Sequence, residues 1–323
     1  MMKISPPLLC LFYAGLAGFF TTCVFADESH DWKKCTKEAK AALERNDWPG
    51  AETLCLHAME SAEDFGTNDS RYAESLRNLA FVRFQLRQYE SAQVLYRRLV
   101  SIDQAHTDTN SLEFATDLLK LSDVDIFAKN FDEAEKSSLQ AQKIVETKLG
   151  TFDPSVGVCL EARANVLLDQ DKLDAAEQLY KQALPLVERS RHKTQFSINQ
   201  YVSQSIYSPN QNQIASVLNN LALLYLREKK FSEAEPLLKR ELGIYEWQYS
   251  KNSLMLAGPL YNLGLSFVQQ KKLPDAEKTL KRLWFILQKS SLKHPMVGQV
   301  RVLLTQVLVA ENKKSETVGL FSK

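Results

Sequence analysis

An alanine recurs along this chain at a nearly constant interval, each time three residues after a bulky apolar residue. The copies are Ala51, Ala92, Ala134, Ala176, Ala234 and Ala276. Their spacings are 41, 42, 42, 58 and 42 residues, and in five of the six copies a glutamate follows the alanine. A fixed period of this length is typical of stacked supersecondary units, none of which can bury its apolar face alone. The sequence therefore predicts an array of repeats.

Each alanine lies in a segment with helical periodicity, as in FSEAEPLLKREL at 231–242. Apolar or small residues recur three, seven and ten places after the opening residue, which is the spacing of one helical face. A first helix precedes each of these segments, as in LNNLALLYL at 218–226. The first helix carries a small residue at Ala39, Ala80, Ser122, Ala164, Ala222 and Gly264. Small residues on both helices permit close approach, and short turns such as 227–230 force antiparallel pairing.

One joint between repeats, LGTFDPSV at 149–156, carries signals for the end of one helix and the start of the next. Gly150 is placed where a helix C-cap needs positive φ. Asp153 is placed at the next N-cap, and Pro154 at the first helical position. The sequence predicts a helix boundary at each side of this joint.

These features resemble the tetratricopeptide repeat family, in the 42-residue subtype found in kinesin light chains and many bacterial proteins. The best match is LNNLALLYLREKKFSEAEPLLKREL at 218–242. The resemblance implies an all-α superhelical solenoid of antiparallel helix pairs over residues 27–323. It implies six full repeats, with a partial seventh at 295–321. It also implies a binding scaffold for other proteins and not an enzyme.

The first 26 residues differ from the rest of the chain. A single charge, Lys3, precedes an apolar run at 8–20, and the small-residue site Val24-Phe25-Ala26 stands before Asp27. This order is typical of a secretory signal peptide, and the apolar run is short for a membrane span. We expect cleavage after Ala26 and a periplasmic or secreted protein. An uncleaved membrane anchor is the alternative.

The charge balance excludes one class of partner. The chain has 40 Lys and Arg against 39 Asp and Glu, and removing residues 1–26 takes away one lysine, which leaves 39 of each. Nucleic acid and anionic lipid would need a basic excess or stripe. We therefore expect no nucleic acid partner, and no membrane span after cleavage. The family resemblance implies a protein or peptide partner. The oligomeric state stays open.

No catalytic or metal-binding motif is visible in the sequence. The five histidines lack the HExxH spacing or the paired cysteines of a metal site, and there is no glycine-rich phosphate loop. We therefore expect no cofactor. An enzyme whose site is assembled across several repeats is a remaining alternative.

The family resemblance also selects one face of the first helices. With the small residue counted as position 8, positions 2, 5, 6, 9 and 13 lie opposite the second helix. In the family this side lines a concave groove, where an asparagine at position 6 contacts the backbone of an extended peptide. The implied groove residues are Lys37, Arg77, Asn78, Lys120, Asn165, Asn219, Asn220, Tyr261 and Asn262.

Two other readings of this face remain open. The asparagines would alternatively bond the neighbouring repeat or water. The protein would alternatively be a structural or accessory subunit of an envelope or secretion assembly, joined through other surfaces.

The spacing of 58 places 16 extra residues within 191–213, a segment rich in Gln, Ser and Asn. Its aromatics Phe196, Tyr201 and Tyr207 are candidate contacts with the groove or a partner. The alternative is a surface insertion without a function, since loops accept length at low cost.

Three cysteines remain after residue 26. Cys35 and Cys55 lie at positions 4 and 24 of the first repeat, one turn along each antiparallel helix from the closely packed pair. This geometry predicts a disulfide, with two buried apolar thiols as the alternative. Cys159 has no evident partner.

Overall fold

The computed structural model describes residues 21–106, 109–189, 209–290, 295–313, 315 and 317. The chain divides into two compact units, Met1–Thr109 and Asn110–Lys323. Across the described ranges the structure is entirely helical, which confirms the predicted all-α fold class.

The described part of unit 1 contains four helices that form two hairpins. They are α1 (Thr21–Glu44), α2 (Trp48–Glu63), α3 (Ser70–Gln85) and α4 (Tyr89–His106). Residues 1–20 of the predicted signal peptide lie outside the described residues. Helix α1 is continuous through Ala26 and Asp27, the two sides of the predicted cleavage site. Cleavage itself stays a prediction.

Among its described residues, unit 2 has four further hairpins, followed by one more helix. The hairpins are α5 (Leu112–Phe127) with α6 (Phe131–Leu149), α7 (Pro154–Asp169) with α8 (Leu173–Glu188), α9 (Pro209–Arg227) with α10 (Phe231–Gln248), and α11 (Ala257–Gln269) with α12 (Leu273–Ser290). The helix α13 (Met296–Ala310) packs against α12, and a 3₁₀ turn at Leu254–Leu256 precedes α11.

The small residues of the repeat lie where the helices of a hairpin meet. All six recurring alanines have 0% of their surface exposed. The small residues of the first helices are buried as well, and Ser122 Oγ donates a hydrogen bond of 2.8 Å to the Ala134 carbonyl. At Gly264, an added Cβ would lie 2.6 Å from Leu280 Cδ2 on the partner helix. The period in the sequence is therefore the period of close helix contact.

The turn inside each hairpin has one residue in the left-handed conformation. Its φ lies between 58° and 62° at Asn46, Arg87, Lys129, Asp171, Lys229, Lys271 and Asn312. The next residue donates its N–H to the carbonyl five residues earlier, as from Lys230 to Tyr225 at 2.8 Å. This bond closes the helix end in a Schellman-type cap. Asn312 makes the same turn after α13.

The predicted joint at 149–156 is confirmed. Gly150 follows α6 with φ of 86°, and α7 begins at Pro154. Asp153 accepts a hydrogen bond of 2.8 Å from the Ser155 N–H, as an N-cap residue does.

The glutamate after the recurring alanine links neighbouring repeats in unit 2. Glu235 on α10 pairs with Lys239 of its own helix and with Lys272, which directly precedes α12, both at 2.6 Å. Glu277 on α12 pairs with Lys313 at 2.6 Å in the same way. Burial alone would raise the pKa of Glu235, but the hydrogen bonds from Lys239, Lys272 and Gln270 outweigh it and lower the pKa to about 2. The ionised glutamate therefore fixes the turn of the following repeat.

Most of the predicted insertion at 191–213 lies outside the described residues. Residues 190–208 lie outside the described residues, whereas Pro209 to Gln213 form the first turn of α9. Proline at the first helical position needs no N–H partner, which explains why this helix begins there. The position of the 16 extra residues within 191–213 therefore stays a prediction. The candidate contacts Phe196, Tyr201 and Tyr207 fall outside the described residues.

Candidate partner-binding site

The first helices of three successive repeats in unit 2 enclose a polar cavity. It has a volume of about 210 Å³ and lies between α5, α7 and α9. Its lining is Leu119, Lys120, Asp123, Val158, Glu161, Ala162, Asn165, Asn212, Gln213 and Ser216. The residues from α5 and α7, together with Ser216, occupy positions 2, 5, 6 and 9 of their helices. Lys120 and Asn165 of the predicted groove therefore lie in this cavity.

Glu161 is the buried acid of the cavity. Only 7% of its surface is exposed, and its Oε1 accepts hydrogen bonds from Ser216 Oγ and from Asn220 Nδ2, the latter at 3.0 Å. Burial raises the pKa of Glu161 to about 7, with a further rise from the charge of Asp123. The two hydrogen bonds and the charge of Lys120 act in the opposite direction. Glu161 is therefore poised to change its charge near neutral pH.

The predicted asparagines of unit 2 hydrogen-bond to one another across repeats. Asn220 Nδ2 donates to Asn165 Oδ1 at 3.1 Å, and the same oxygen accepts from the Tyr180 hydroxyl at 2.6 Å. Asn219 Nδ2 donates to Asn220 Oδ1 at 3.2 Å, and Asn262 Nδ2 donates to Asn219 Oδ1 at 3.4 Å. A carboxamide has two N–H donors. Asn220 uses both, so the alternative of bonding to the neighbouring repeat holds for this residue.

The remaining predicted groove residues are distributed over both units. In unit 1, Lys37 is exposed, Asn78 is half-buried and Arg77 is buried with 7% exposure. In unit 2, Tyr261 on α11 is half-buried. None of these four lines the cavity described above.

Sequence reasoning missed Glu161, Asp123 and Ser216. They occupy positions 5, 9 and 2, which belong to the face that the helical spacing selected. Helical spacing therefore placed these three residues on the predicted face. The family resemblance, however, selected mainly asparagines and basic residues. An acid at position 5, with an alanine beside it at position 6, is the feature that would have indicated the cavity.

Comparison with known proteins gives the family of these helices. The family model described as "Tetratricopeptide repeat" matches residues 114–189 and 213–284, the segments that contain the cavity. In these two segments the chain is similar to tetratricopeptide repeats. The model describes a repeat and not a catalytic domain.

A curated relative of this chain is distant in sequence. It is 24% identical over 188 residues to Protein KINESIN LIGHT CHAIN-RELATED 1 of Arabidopsis thaliana, which covers 57% of this chain. The match spans only 27% of the length of that curated relative.

Two solved structures share the fold. BtubC (BKLC) from P. vanneervenii has a TM-score of 0.55 at 21% identity, covering 76% of this chain and 92% of its own. A Rap protein complexed with Competence and Sporulation Factor has a TM-score of 0.56 at 14% identity, covering 92% and 87%.

The predicted disulfide is absent from this tetratricopeptide-repeat structure, in which Cys35, Cys55 and Cys159 are all free. Burial, followed by the charges of Glu38 and Asp31, raises the pKa of Cys35. Burial also raises the pKa of Cys55 to about 11 and that of Cys159 to about 12. Disulfide formation needs a thiolate, which these surroundings disfavour. The alternative of buried apolar thiols describes Cys55 and Cys159, whereas Cys35 is half-buried.

One acidic cluster has the spacing of a metal site. Ligand atoms of Asp174, Glu177 and Glu228 lie within 4.8 Å of one another. Lysines already neutralise two of the three, because Lys181 and Lys230 pair with Glu177 at 2.6 and 3.6 Å, and Lys230 pairs with Glu228 at 3.0 Å. These ion pairs account for the cluster without a metal. Separately, no helix within the described ranges has the length and apolarity to cross a bilayer.

Proposed function

We propose that this protein is a non-enzymatic scaffold that binds an extended segment of a partner protein along the first-helix face of unit 2. The observation that carries the proposal is the cavity between α5, α7 and α9, where three successive repeats contribute polar side chains from equivalent positions. The fold similarity to a Rap protein solved with Competence and Sporulation Factor supports a ligand on this kind of framework.

The chemistry of the face suits an extended segment. Lys120 and the carboxamides of Asn165, Asn212 and Gln213 present donors and acceptors around the cavity, and a peptide backbone offers one of each per residue. The hydrogen-bonded asparagines hold their neighbours in place before any partner arrives. Because the scaffold is already ordered, little conformational entropy is lost on its side when it binds.

A cross-linking experiment tests the surface. A photoreactive amino acid at Val158, which lines the cavity, is compared with one at Gln178, an exposed residue of the second helix α8. We expect the partner to be captured through position 158 and not through position 178. Capture through position 178 alone would assign binding to another face and would favour the accessory-subunit alternative.

We further propose that the scaffold acts after export, in the periplasm or outside the cell, with the signal peptide removed after Ala26. The support is the order of charge, apolar run and small-residue site in the first 26 residues. Intact-mass measurement of protein isolated from the producing cell tests this step. A mature chain beginning at Asp27 is expected, and a chain retaining residues 1–26 would contradict cleavage.

A further inference from the structure

The two carboxylate oxygens of Glu161 have different surroundings. Both hydrogen bonds to this side chain, from Ser216 and Asn220, end on Oε1. Oε2 accepts no hydrogen bond from the described residues, and part of its surface stays accessible to solvent. Glu161 lines the cavity, and Oε2 is its oxygen without a hydrogen bond from the described residues.

The charges around the cavity leave Glu161 without a cation of its own. Among the described lining residues, Lys120 is the single basic one, and it pairs with Asp123 of the same helix at 3.2 Å. Helix α9 contributes only neutral side chains to the lining. The nearby Tyr180 on α8 donates its hydroxyl to Asn165. An ionised Glu161 therefore gives the cavity a net charge of about −1, because Lys120 offsets Asp123.

The size of the cavity limits what it can hold. Pockets for complete small-molecule ligands measure roughly 300–1,000 Å³, whereas this cavity measures about 210 Å³. It is large enough for several water molecules, which need roughly 10–15 Å³ each on the same measure. The space suits the end of one long side chain.

We propose that this cavity binds the lysine or arginine side chain of a partner, with Glu161 Oε2 as the counter-ion. Asn212 and Gln213 line the same space, and their carboxamide oxygens would accept the remaining N–H groups. The proposal rests on the proposed function, since it names the side chain by which the bound segment is anchored. A carboxylate of the partner in the same place would be repelled by Glu161 and Asp123, and Lys120 is already paired with Asp123.

This binding mode has a pH dependence of defined sign. A cation binds the ionised form of Glu161, and burial raises the pKa of the unoccupied residue to about 7. The other titratable groups that face it are Lys120 and Asp123 from α5 and Tyr180 from α8. Affinity is therefore full well above pH 7 and falls about tenfold for each pH unit below it, because Glu161 must release a proton before it binds the cation.

The test uses small probes of the side-chain ends on the full chain. Thermal unfolding is followed with n-butylammonium chloride or methylguanidinium chloride, which stand for lysine and arginine, against sodium butyrate, with ionic strength held constant by NaCl. We expect at least one cation to stabilise the protein saturably at pH 8.5. Its apparent affinity should be at least tenfold weaker at pH 6. Stabilisation by butyrate alone, or by none of the probes, overturns the proposal.

Two matched variants assign the effect to the cavity. Glu161→Gln keeps an oxygen for Ser216 and Asn220 but removes the charge, and it is expected to lose the cation effect. Glu241→Gln removes another buried acid, which does not line the cavity, and is expected to keep the effect. Equal cation binding by wild type and Glu161→Gln overturns the proposal.

Binding of the partner distinguishes a failure of this inference from a failure of the proposed function. If a partner captured through position 158 binds Glu161→Gln as tightly as wild type, the scaffold function stands and the basic-anchor proposal falls. A loss of at least tenfold in affinity at pH 8 with Glu161→Gln, and an equal loss when one basic residue of the partner segment is replaced by norleucine, supports the proposal.

Discussion

Replacing Glu235 by glutamine is expected to destabilise the protein at neutral pH and to leave it almost unchanged near pH 2. Glu235 accepts hydrogen bonds from Lys239 and Lys272 at 2.6 Å and from Gln270 at 3.0 Å. Its own side chain is only 13% exposed. Glutamine keeps the shape but loses the charge that holds the two lysines, so α10 loses an anchor to the turn before α12.

The magnitude follows from the pKa of the carboxyl. A pKa lowered from 4.5 to about 2 corresponds at most to about 3 kcal/mol of stabilisation of the folded state at pH 7. Lys239 and Lys272 are 56% and 45% exposed, and solvent screening reduces the figure to about 1–2 kcal/mol. Because the folded-state pKa is depressed, this contribution is present above pH 4.5 and is lost as the pH falls toward 2.

Urea unfolding at pH 7 and at pH 2.5, with hydrogen exchange of α10 and α11 as a local readout, measures the effect. Glu233→Gln makes the same charge change on an exposed residue of α10 and is the control, with an expected change within about 0.5 kcal/mol. A double-mutant cycle with Lys272→Met isolates the pair. The reasoning is refuted if Glu235→Gln costs as much at pH 2.5 as at pH 7, or no more than the control.

Three further outcomes are expected from the structure. Glu241, only 2% exposed, has a pKa raised to about 8 by burial, so wild type loses stability as the pH rises from 4.5 to 8. The free energy of unfolding of Glu241→Gln, measured in urea, should match that of wild type at pH 4.5 and exceed it by about 2–4 kcal/mol at pH 9; equal values at pH 9 would contradict this. Gly264→Ala places a Cβ 2.6 Å from Leu280 and is expected to cost about 1–3 kcal/mol in urea unfolding. At Gly243 an added Cβ would have no neighbouring atom within 4 Å, so Gly243→Ala is expected to stabilise the protein by about 0.5–1 kcal/mol. The packing argument would be refuted if Gly264→Ala were the more stable of the two variants. In iodoacetamide labelling of the native protein with peptide mapping, the half-buried Cys35 is expected to react before Cys55 and Cys159, and no reaction there before or after unfolding would favour the sequence-predicted disulfide.

The face that carries the candidate site was predictable, but its working residues were not. Helical spacing selected the side of the first helices on which Lys120 and Asn165 line the cavity. The sequence offered no means of deciding whether Asn220 bonds a partner or its neighbours, because that depends on Glu161 and Asn165 of the preceding repeat. These residues are 59 and 55 positions away. Their distance in space depends on how α7 and α9 pack.

The sequence by itself determined the helix pairs, their length and the places where they touch. Periodicity and small residues act locally, and a buried alanine at each crossing satisfies the same steric need in every repeat. The sequence also marked the joint at Gly150, because a left-handed glycine and an N-cap aspartate need only their neighbours.

Tertiary structure alone decided the turns, the ionisation states and the cavity. In the described chain, the left-handed residue of a hairpin turn is never glycine. At Arg87 and Lys229 the residue type gives no indication of a left-handed conformation. Glu235 and Glu241 lie on the same helix, yet one pKa is lowered by lysines and the other is raised by burial. The pKa of each glutamate depends on the charges and the burial that the neighbouring repeat provides. Both are fixed only when the helices pack against one another.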